Sequence, residues 1–194
     1  GEELMAAEEF LGDLLKEMEA HMQKSLESTR RELSTIRTGR ASGAILDRVT
    51  VDYYGVETPL SNLAGISVQG SSTIIVDPYD KSAIKDMERA LMESDVGITP
   101  SNDGAVIRLN VPPLTQERRK DLVKQVKALA EDGRVAIRNI RRDAVDKCKK
   151  TEKDGDLGKD ESKDLQDAVQ KATDKFVKKI DDMLKNKEKD ILTV

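Results

Sequence analysis

Hydrophobic residues recur at steps of three and four in three long stretches of the chain. A helix has about 3.6 residues per turn, so this spacing places apolar side chains on one stripe of each helix. The first stretch runs from about Leu4 to Thr38, and Gly39 is expected to end it. The second follows Thr115, a candidate N-cap, to about Lys150. The third runs over about 160–192.

The segment between the first two stretches shows the alternation and β-branched enrichment of strands. Strands are expected over Ile45–Tyr54, over ISVQ and over TIIVDP, followed by a closing hairpin of GITP and AVIRLNV around the turn SNDG. Helical spacing returns over Lys81–Ser94, which predicts one helix in this segment. Its expected inward-facing residues are Ile84, Met87, Leu91 and Met92.

This order of elements predicts an α+β fold. Long amphipathic helices are unstable alone, so three of them should pack as a bundle of near-antiparallel neighbours. The β-rich segment should form a compact domain of its own, inserted after the first helix. The expected domains are therefore 1–39 with 114–194, and 40–113. The chain passes between them near 38–40 and 111–114, and a two-stranded connection of this kind permits rotation.

The composition excludes several kinds of chemistry. One cysteine, Cys148, and one histidine, His21, cannot form an internal disulfide, a cysteine-based zinc site or a nucleophile–base set. We therefore expect no metal, no cofactor and no enzymatic activity. No apolar run reaches the roughly 18 residues that a membrane span needs.

Charge is segregated along the chain, although the formal net charge is only −4. Residues 114–150 carry twelve Lys and Arg against six Asp and Glu, whereas residues 1–28 carry eight acids against two bases. With Ile140 as the centre of the buried stripe, Arg134, Arg138, Arg141 and Arg142 are expected to form one ridge facing away from it.

Two interpretations of this ridge stay open. It could be a solvated helix face, in which Asp143 and Asp146 pair in part with Arg142 and Arg138. It could instead contact phosphates, which arginine binds with two parallel hydrogen bonds. No aromatic residues interleave the arginines and no glycine-rich phosphate loop is present, so structured RNA is favoured over single strands or nucleotides. The alternative to RNA binding as the function of the whole chain is a coiled-coil adaptor that binds another protein.

Four stretches resemble the ribosome recycling factor family: IRTGRAS, VDYYGVETPL, VPPLTQERRKDLVKQVK and RVAIRNIRRDA. The resemblance extends from about Leu26 to the C-terminus. It implies an L-shaped, two-domain molecule similar in outline to a transfer RNA, with a long three-helix bundle and a small β-rich α/β domain. It also implies a non-enzymatic activity. Such a protein binds the post-termination ribosome and, with elongation factor G and its GTP hydrolysis, splits the subunits and releases mRNA and tRNA.

The resemblance also implies the site residues. The RNA-binding residues, which would contact large-subunit ribosomal RNA at the intersubunit face, are Arg37, Arg40, Arg134, Arg138, Arg141 and Arg142. The strongest single candidate is Arg141. The hinge residues are Thr38, Gly39, Arg40, Val111, Pro112, Pro113 and Leu114. The protein is expected to be a monomer in solution.

Two features depart from the usual family pattern. Gly158 stands where a helix-capping serine is frequent in the family. The first residues are longer and more acidic than a typical bacterial start, and the chain begins at Gly1. This resembles a nuclear-encoded chloroplast form whose transit peptide has been removed, and it predicts the chloroplast stroma. A bacterial cytoplasmic protein is the alternative.

Overall fold

The computed structural model describes residues 2–193, which divide into a helical unit and a β-rich unit. The helical unit comprises residues up to 37 and from 116 onward, and the β-rich unit comprises 38–115. The elements in chain order are α1 (Glu2–Ser34), β1 (Thr50–Tyr53), β2 (Val56–Pro59), β3 (Ala64–Gln69), β4 (Thr73–Pro78), α2 (Ile84–Glu93), β5 (Pro100–Asn102), β6 (Ile107–Asn110), α3 (Gln116–Lys153) and α4 (Lys159–Leu192). The predicted α+β class is confirmed.

The helical unit is held together by an aliphatic core between α1, α3 and α4. Its centre consists of fully buried side chains from all three helices: Met22, Leu26, Ile137 and Ile180. A smaller cluster around Leu14, Cys148 and Leu165 extends the same core. Burial of one such aliphatic side chain stabilises a fold by roughly 1.5–3 kcal/mol, so this core explains why the three long helices associate.

The first helix ends earlier than the sequence pattern indicated. It stops at Ser34, and Gly39 lies five residues beyond it with φ +82°. The hydroxyls of Ser34 and Thr35 donate to the carbonyls of Arg31 and Glu32, at 2.6 and 2.7 Å. The Glu32 and Leu33 carbonyls also accept from the amides of Thr35 and Ile36, each at 3.2 Å. The last helical turn is therefore closed without a glycine.

The β-rich unit contains two antiparallel sheets and one short helix. Strands β1 and β2 form a hairpin, and the other strands form a four-stranded sheet in the order β3-β4-β6-β5. Helix α2 buries Ile84, Met87 and Leu91 in a core that includes Ile74 and Ile107 from the sheet. The predicted strands β3 and β4 are confirmed, and a closing hairpin is present. Its first strand is shifted, however: β5 covers Pro100–Asn102 rather than GITP, so the first half of the predicted turn SNDG belongs to the strand.

Three other predictions in this unit were wrong. The strand expected over Ile45–Tyr54 begins only at Thr50, because residues 43–46 form a 3₁₀ turn whose N-cap is the Ser42 side chain. Strand β2 was not predicted. It follows β1 directly, because Tyr54 and Gly55, which both have positive φ, form a two-residue turn that reverses the chain. Met92 is 62% exposed, because it is rotated by about 100° around the helix from Leu91, the last residue of the buried face of α2.

The two segments expected to act as hinges lie side by side in the β-rich unit. A Cβ added to Gly39 would meet the Leu114 side chain at 2.6 Å. The amides of Ala41 and Val111 donate to the carbonyls of Ser71 and Ser72, at 3.0 and 2.7 Å. Both segments are therefore tied to the same turn between β3 and β4. The remaining candidate hinge residues differ in exposure: Thr38 and Leu114 are half-buried, whereas Pro112 and Pro113 are exposed.

No helix among the described residues is both long enough and apolar enough to cross a membrane.

Candidate nucleic-acid interface

Helix α3 positions four of the six candidate arginines. Its buried stripe is centred on Ile137, which is fully buried, whereas Ile140 is only partly buried. With Ile137 at 0° on a helical wheel, Arg141 and Arg134 lie at about 40° and 60°, and Arg138 and Arg142 at about 100° and 140°. The expected outward ridge is therefore wrong for Arg134 and Arg141, which lie at the edge of the core.

Arg134 links α3 to α4. Its Nε donates to Asp181 at 2.7 Å and its Nη1 donates to Glu131 at 2.8 Å. The side chain is only 17% exposed. Burial works to lower the pKa of Arg134, but the hydrogen bonds to Asp181 and Glu131 outweigh it and raise this pKa. Arg134 is therefore a permanent cation that links α3 to α4 through the carboxylate of Asp181.

Glu131 connects Arg134 to the next arginine. Its carboxylate accepts from Arg134 and, at 3.2 Å, from Arg138. These contacts, the one from Arg134 first, lower the pKa of Glu131 despite some desolvation. Glu131 and Arg138 are both about half exposed, at 53% and 47%. The proposed partner of Arg138, Asp146, is not the one found: Glu131 takes that place, seven residues earlier.

Arg141 reaches across to the neighbouring helix as well. Its Nη1 donates to Gln170 Oε1 at 3.2 Å, and Gln170 in turn donates to Asp174 at 2.8 Å. The Nε of Arg141 is buried and has no hydrogen-bond partner among the described residues. The guanidinium is thus oriented by Gln170 through Nη1, and its remaining outer donors can reach an external acceptor.

The other candidate arginines are more accessible. Arg142 is exposed, and its guanidinium forms no ion pair with a carboxylate in the described part of the chain. Arg37 and Arg40 are exposed too, but they belong to different units, Arg37 to the helical unit and Arg40 to the β-rich unit. The structure of the helical unit therefore brings Arg134, Arg138, Arg141 and Arg142 together, and it leaves Arg40 outside this group.

Lysines extend the arginine group into a longer surface along one side of α3. We define the basic face as the charged residues between about 40° and 140° on the wheel from Lys120 to Lys149. It comprises Lys120, Lys124, Lys127, Arg134, Arg138, Arg141, Arg142 and Lys149, with Glu131 as its single acid. The four other acids of this stretch lie together at about 180–240°: Asp121, Asp132, Asp143 and Asp146.

The lysines of this face were counted in the basic segment 114–150 but were not placed beside the arginines, and the residues that hold the arginines were not predicted: Glu131, Gln170 and Asp181. A local signal for Glu131 exists, because it precedes Arg134 by three residues, a spacing that favours pairing on a helix. No local signal exists for Asp181, which lies 47 residues away from Arg134 in the chain.

The side chains that commonly bind metals or catalyse reactions are dispersed. No group of three or more His, Cys, Asp or Glu residues within the described part of the chain could hold a metal ion. Cys148 is fully buried, and this burial raises the pKa of its thiol. His21 is exposed on α1.

These features place the chain in a class of α+β proteins in which three long helices, one of them with a basic face, are combined with an inserted β-rich unit. The chain belongs to the ribosome recycling factor family: the family model described as "Ribosome recycling factor" matches residues 29–192. Members of this family are non-enzymatic translation factors, and the function of this chain is ribosome recycling.

Individual relatives agree with this assignment. The chain is 58% identical to the ribosome-recycling factor of Picosynechococcus sp. over 180 residues, which cover 93% of this chain and 99% of the relative. A solution structure of the ribosome recycling factor is similar with a TM-score of 0.74 and 36% identity, covering 95% of this chain and 98% of that one.

A second solved structure matches with a TM-score of 0.63 and 46% identity, covering 94% of this chain and 99% of that one. It contains models for the T. thermophilus ribosome recycling factor and the E. coli elongation factor G bound to the E. coli post-termination complex.

Proposed function

We propose that the chain binds the post-termination ribosome through the basic face of α3 and, together with elongation factor G, splits it into subunits, releasing mRNA and tRNA. The support for these partners is the similar structure of a recycling factor with elongation factor G on the post-termination complex. In this proposal the contacted RNA is that of the large subunit at its intersubunit surface. The candidate contacts are Arg37, Arg40, Arg134, Arg138, Arg141 and Arg142.

The observation that carries the proposal is the separation of charge around α3. Eight Lys and Arg residues share one side of the helix with a single acid, whereas four acids share another side. Each phosphate that such a face neutralises releases counterions, and this release provides much of the affinity for RNA. Negative net charge of the whole chain does not oppose this binding, because screening over about 8–10 Å makes the local charge decisive.

The arginines of α3 have different roles in this proposal. Arg142 is exposed and Arg138 half exposed, so both can contact phosphate directly. Arg141 is oriented by the hydrogen bond from its Nη1 to Gln170, and its other outer donors can contact phosphate. Arg134 contributes mainly its charge and its link to α4, because its side chain is only 17% exposed and its Nε and Nη1 already donate to Asp181 and Glu131.

The inserted unit supplies the moving part in this proposal. The two connecting segments, 38–40 and 111–114, would act as a two-stranded hinge while α3 stays anchored on RNA. Elongation factor G would push on the β-rich unit, and the long helices would transmit the force to the contact between the ribosomal subunits. Gly39, which lacks a Cβ and has φ +82°, supports conformational change in the 38–40 segment, whereas the prolines at 112 and 113 make the second connection stiffer.

We propose the chloroplast stroma as the compartment, with the bacterial cytoplasm as the alternative. The supporting fact is 58% identity to factors from Picosynechococcus and Synechocystis, both cyanobacteria, the lineage from which chloroplasts derive. Immunodetection in purified stroma and in the remaining soluble fraction of the source cells would test this. If the protein were detected only outside plastids, the proposed stromal location would be wrong.

The test of RNA anchoring is co-sedimentation with large ribosomal subunits across a salt series. Arg141→Ala and Arg142→Ala should each weaken binding, and the slope of log affinity against log salt should fall by roughly one for each phosphate that is no longer neutralised. Arg142→Ala should change the free energy of unfolding by less than about 0.5 kcal/mol, as is usual for exposed substitutions, and so shift the melting temperature only slightly.

Lys147→Ala is the matched control: it removes one exposed cation from α3 at about 280° on the wheel, far from the basic face. Its binding should equal that of the parent. If both arginine variants bind as tightly as the parent, the anchoring proposal is wrong. Affinity that does not respond to salt in any variant would instead support the protein adaptor.

A further inference from the structure

Glu131 is the single acid among the charged residues of the basic face. It lies at about 120° on the wheel, between Arg138 at about 100° and Arg142 at about 140°. Its side chain is 53% exposed. Any phosphate that approaches Arg138 must therefore come close to this carboxylate as well.

The carboxylate of Glu131 occupies donors that RNA would use. One oxygen accepts from Arg134 at 2.8 Å and the other from Arg138 at 3.2 Å. Arg134 has a second carboxylate partner, Asp181, on the neighbouring helix. Arg138 has Glu131 as its carboxylate partner. Removal of the Glu131 charge would thus leave Arg134 tied to α4 and would release Arg138.

We infer that Glu131 limits the affinity of the basic face for RNA by competing with phosphate for Arg138. The inference rests on the proposed function, because it assumes that this face contacts RNA. It assigns to Glu131 a role in release: a factor that acts in repeated rounds must leave the large subunit after each one, and a weaker hold shortens its residence.

Competition is favoured over an alternative in which Glu131 holds Arg138 ready for phosphate. Exposed ion pairs contribute little, typically about 0.2–1 kcal/mol, so the Glu131–Arg138 pair orients Arg138 only weakly. The repulsion between the carboxylate and an incoming phosphate, by contrast, acts directly on binding, and a charge at the edge of an interface changes the association rate and the salt dependence.

The experiment compares Glu131→Gln with the parent in co-sedimentation with large ribosomal subunits across a salt series. Glutamine keeps the length and an acceptor oxygen while removing the charge. We expect about three- to tenfold tighter binding at low salt and a salt slope that is steeper by about one, as for one additional phosphate contact. Binding that is unchanged or weaker would overturn the inference.

Asp132→Asn is the matched control. It makes the same change in net charge one residue further along, but at about 220° on the wheel, away from the basic face. It should not tighten binding. Equal tightening by Asp132→Asn and Glu131→Gln would show an effect of overall charge and would also overturn the inference.

A double-mutant cycle separates this inference from the proposed function. In an Arg138→Ala background, Glu131→Gln should tighten binding by less than half as much as in the parent, because Arg138 is no longer there to be released. If Arg138→Ala weakens binding but Glu131→Gln has no effect, the competition is absent while RNA anchoring stands. If neither change nor Arg142→Ala alters binding, the anchoring proposal itself fails.

Turnover gives a second readout that a structural role would not produce. With the factor limiting and elongation factor G present, Glu131→Gln should slow repeated rounds of subunit splitting. With the factor in excess, a single round should proceed at the rate of the parent or faster. A Glu131→Gln variant that binds more tightly yet keeps the parent's rate over repeated rounds would overturn the release role.

Discussion

Gly133 allows α1 and α3 to approach each other closely. A Cβ at this position would lie 2.5 Å from Thr29 Oγ1 and 3.2 Å from Ile180 Cδ1. Thr29 cannot easily move away, because it is buried and its hydroxyl donates to the Ser25 carbonyl at 3.0 Å. A glycine in the middle of a helix costs about 1 kcal/mol relative to alanine, so here close packing outweighs helix propensity.

We therefore expect Gly133→Ala to lower the free energy of unfolding by about 1–3 kcal/mol, the usual cost of overpacking a core. Gly12→Ala in α1 is the control, since nothing lies within 4 Å of a Cβ there. That change should raise stability by about 0.5–1 kcal/mol. Urea denaturation followed by circular dichroism measures both. Equal effects of the two substitutions would contradict the packing argument.

Residue types on the candidate site could be predicted from the sequence, but their partners could not. The helical period placed four arginines on α3, yet the choice of Ile140 instead of Ile137 as the centre rotated the expected surface by about 60°. Arg134 and Arg141 were consequently expected to point further outward than they do. Their contacts with Asp181 and Gln170 depend on how α4 packs against α3, which the spacing of residues within one helix does not determine.

At the scale of elements, α4 begins without the side-chain cap that most helices have. Gly158 is its N-cap residue, with extended φ and ψ of −69° and 159°, and no side chain there accepts a hydrogen bond. The carbonyl of Gly158 already accepts from the Ser162 amide at 2.9 Å. Glu161, three residues after the cap, stands where a glutamate completes a capping box.

Gly158→Ser should stabilise the protein by a few tenths of a kcal/mol, since serine at an N-cap is better than glycine by about that amount. The space permits it: a Cβ there would lie 3.7 Å from the Glu161 carboxylate. Gly158→Ala, which adds the same Cβ without a hydroxyl, should destabilise by about 0.5–1 kcal/mol. Thermal unfolding of the three proteins tests the order serine, glycine, alanine, and any other order contradicts the capping argument.

The long helices were predictable throughout, whereas short elements were predictable only where their strand or helix period was clear, as in β3, β4 and α2. Three helices of more than 30 residues repeat their apolar period many times, so a local error does not hide them. Strand β2, VETP, has four residues, and its turn contains Tyr54 at φ 50°, a conformation for which glycine or asparagine is the usual signal. The end of α1 was misplaced for a related reason, because hydroxyl groups rather than a glycine close it.

At the scale of the whole molecule, the two units have separate cores. The core of the β-rich unit is built from residues between Leu46 and Val111. The cores of the helical unit draw instead on α1, α3, α4 and the turn before α4. Each unit thus buries its own apolar side chains, which is the condition for a segment to fold independently.

The β-rich unit should consequently fold when residues 38–115 are produced alone. Its two ends are held, because the amides of Ala41 and Val111 donate to neighbouring carbonyls of one turn, at Ser71 and Ser72. We expect dispersed amide resonances and one cooperative thermal transition. Ile107→Ala is the control: this residue is fully buried, and its truncation should cost about 2–5 kcal/mol and lower or abolish the transition. A broad transition in the unaltered segment, insensitive to Ile107→Ala, would mean that the β-rich unit depends on the helices for its stability.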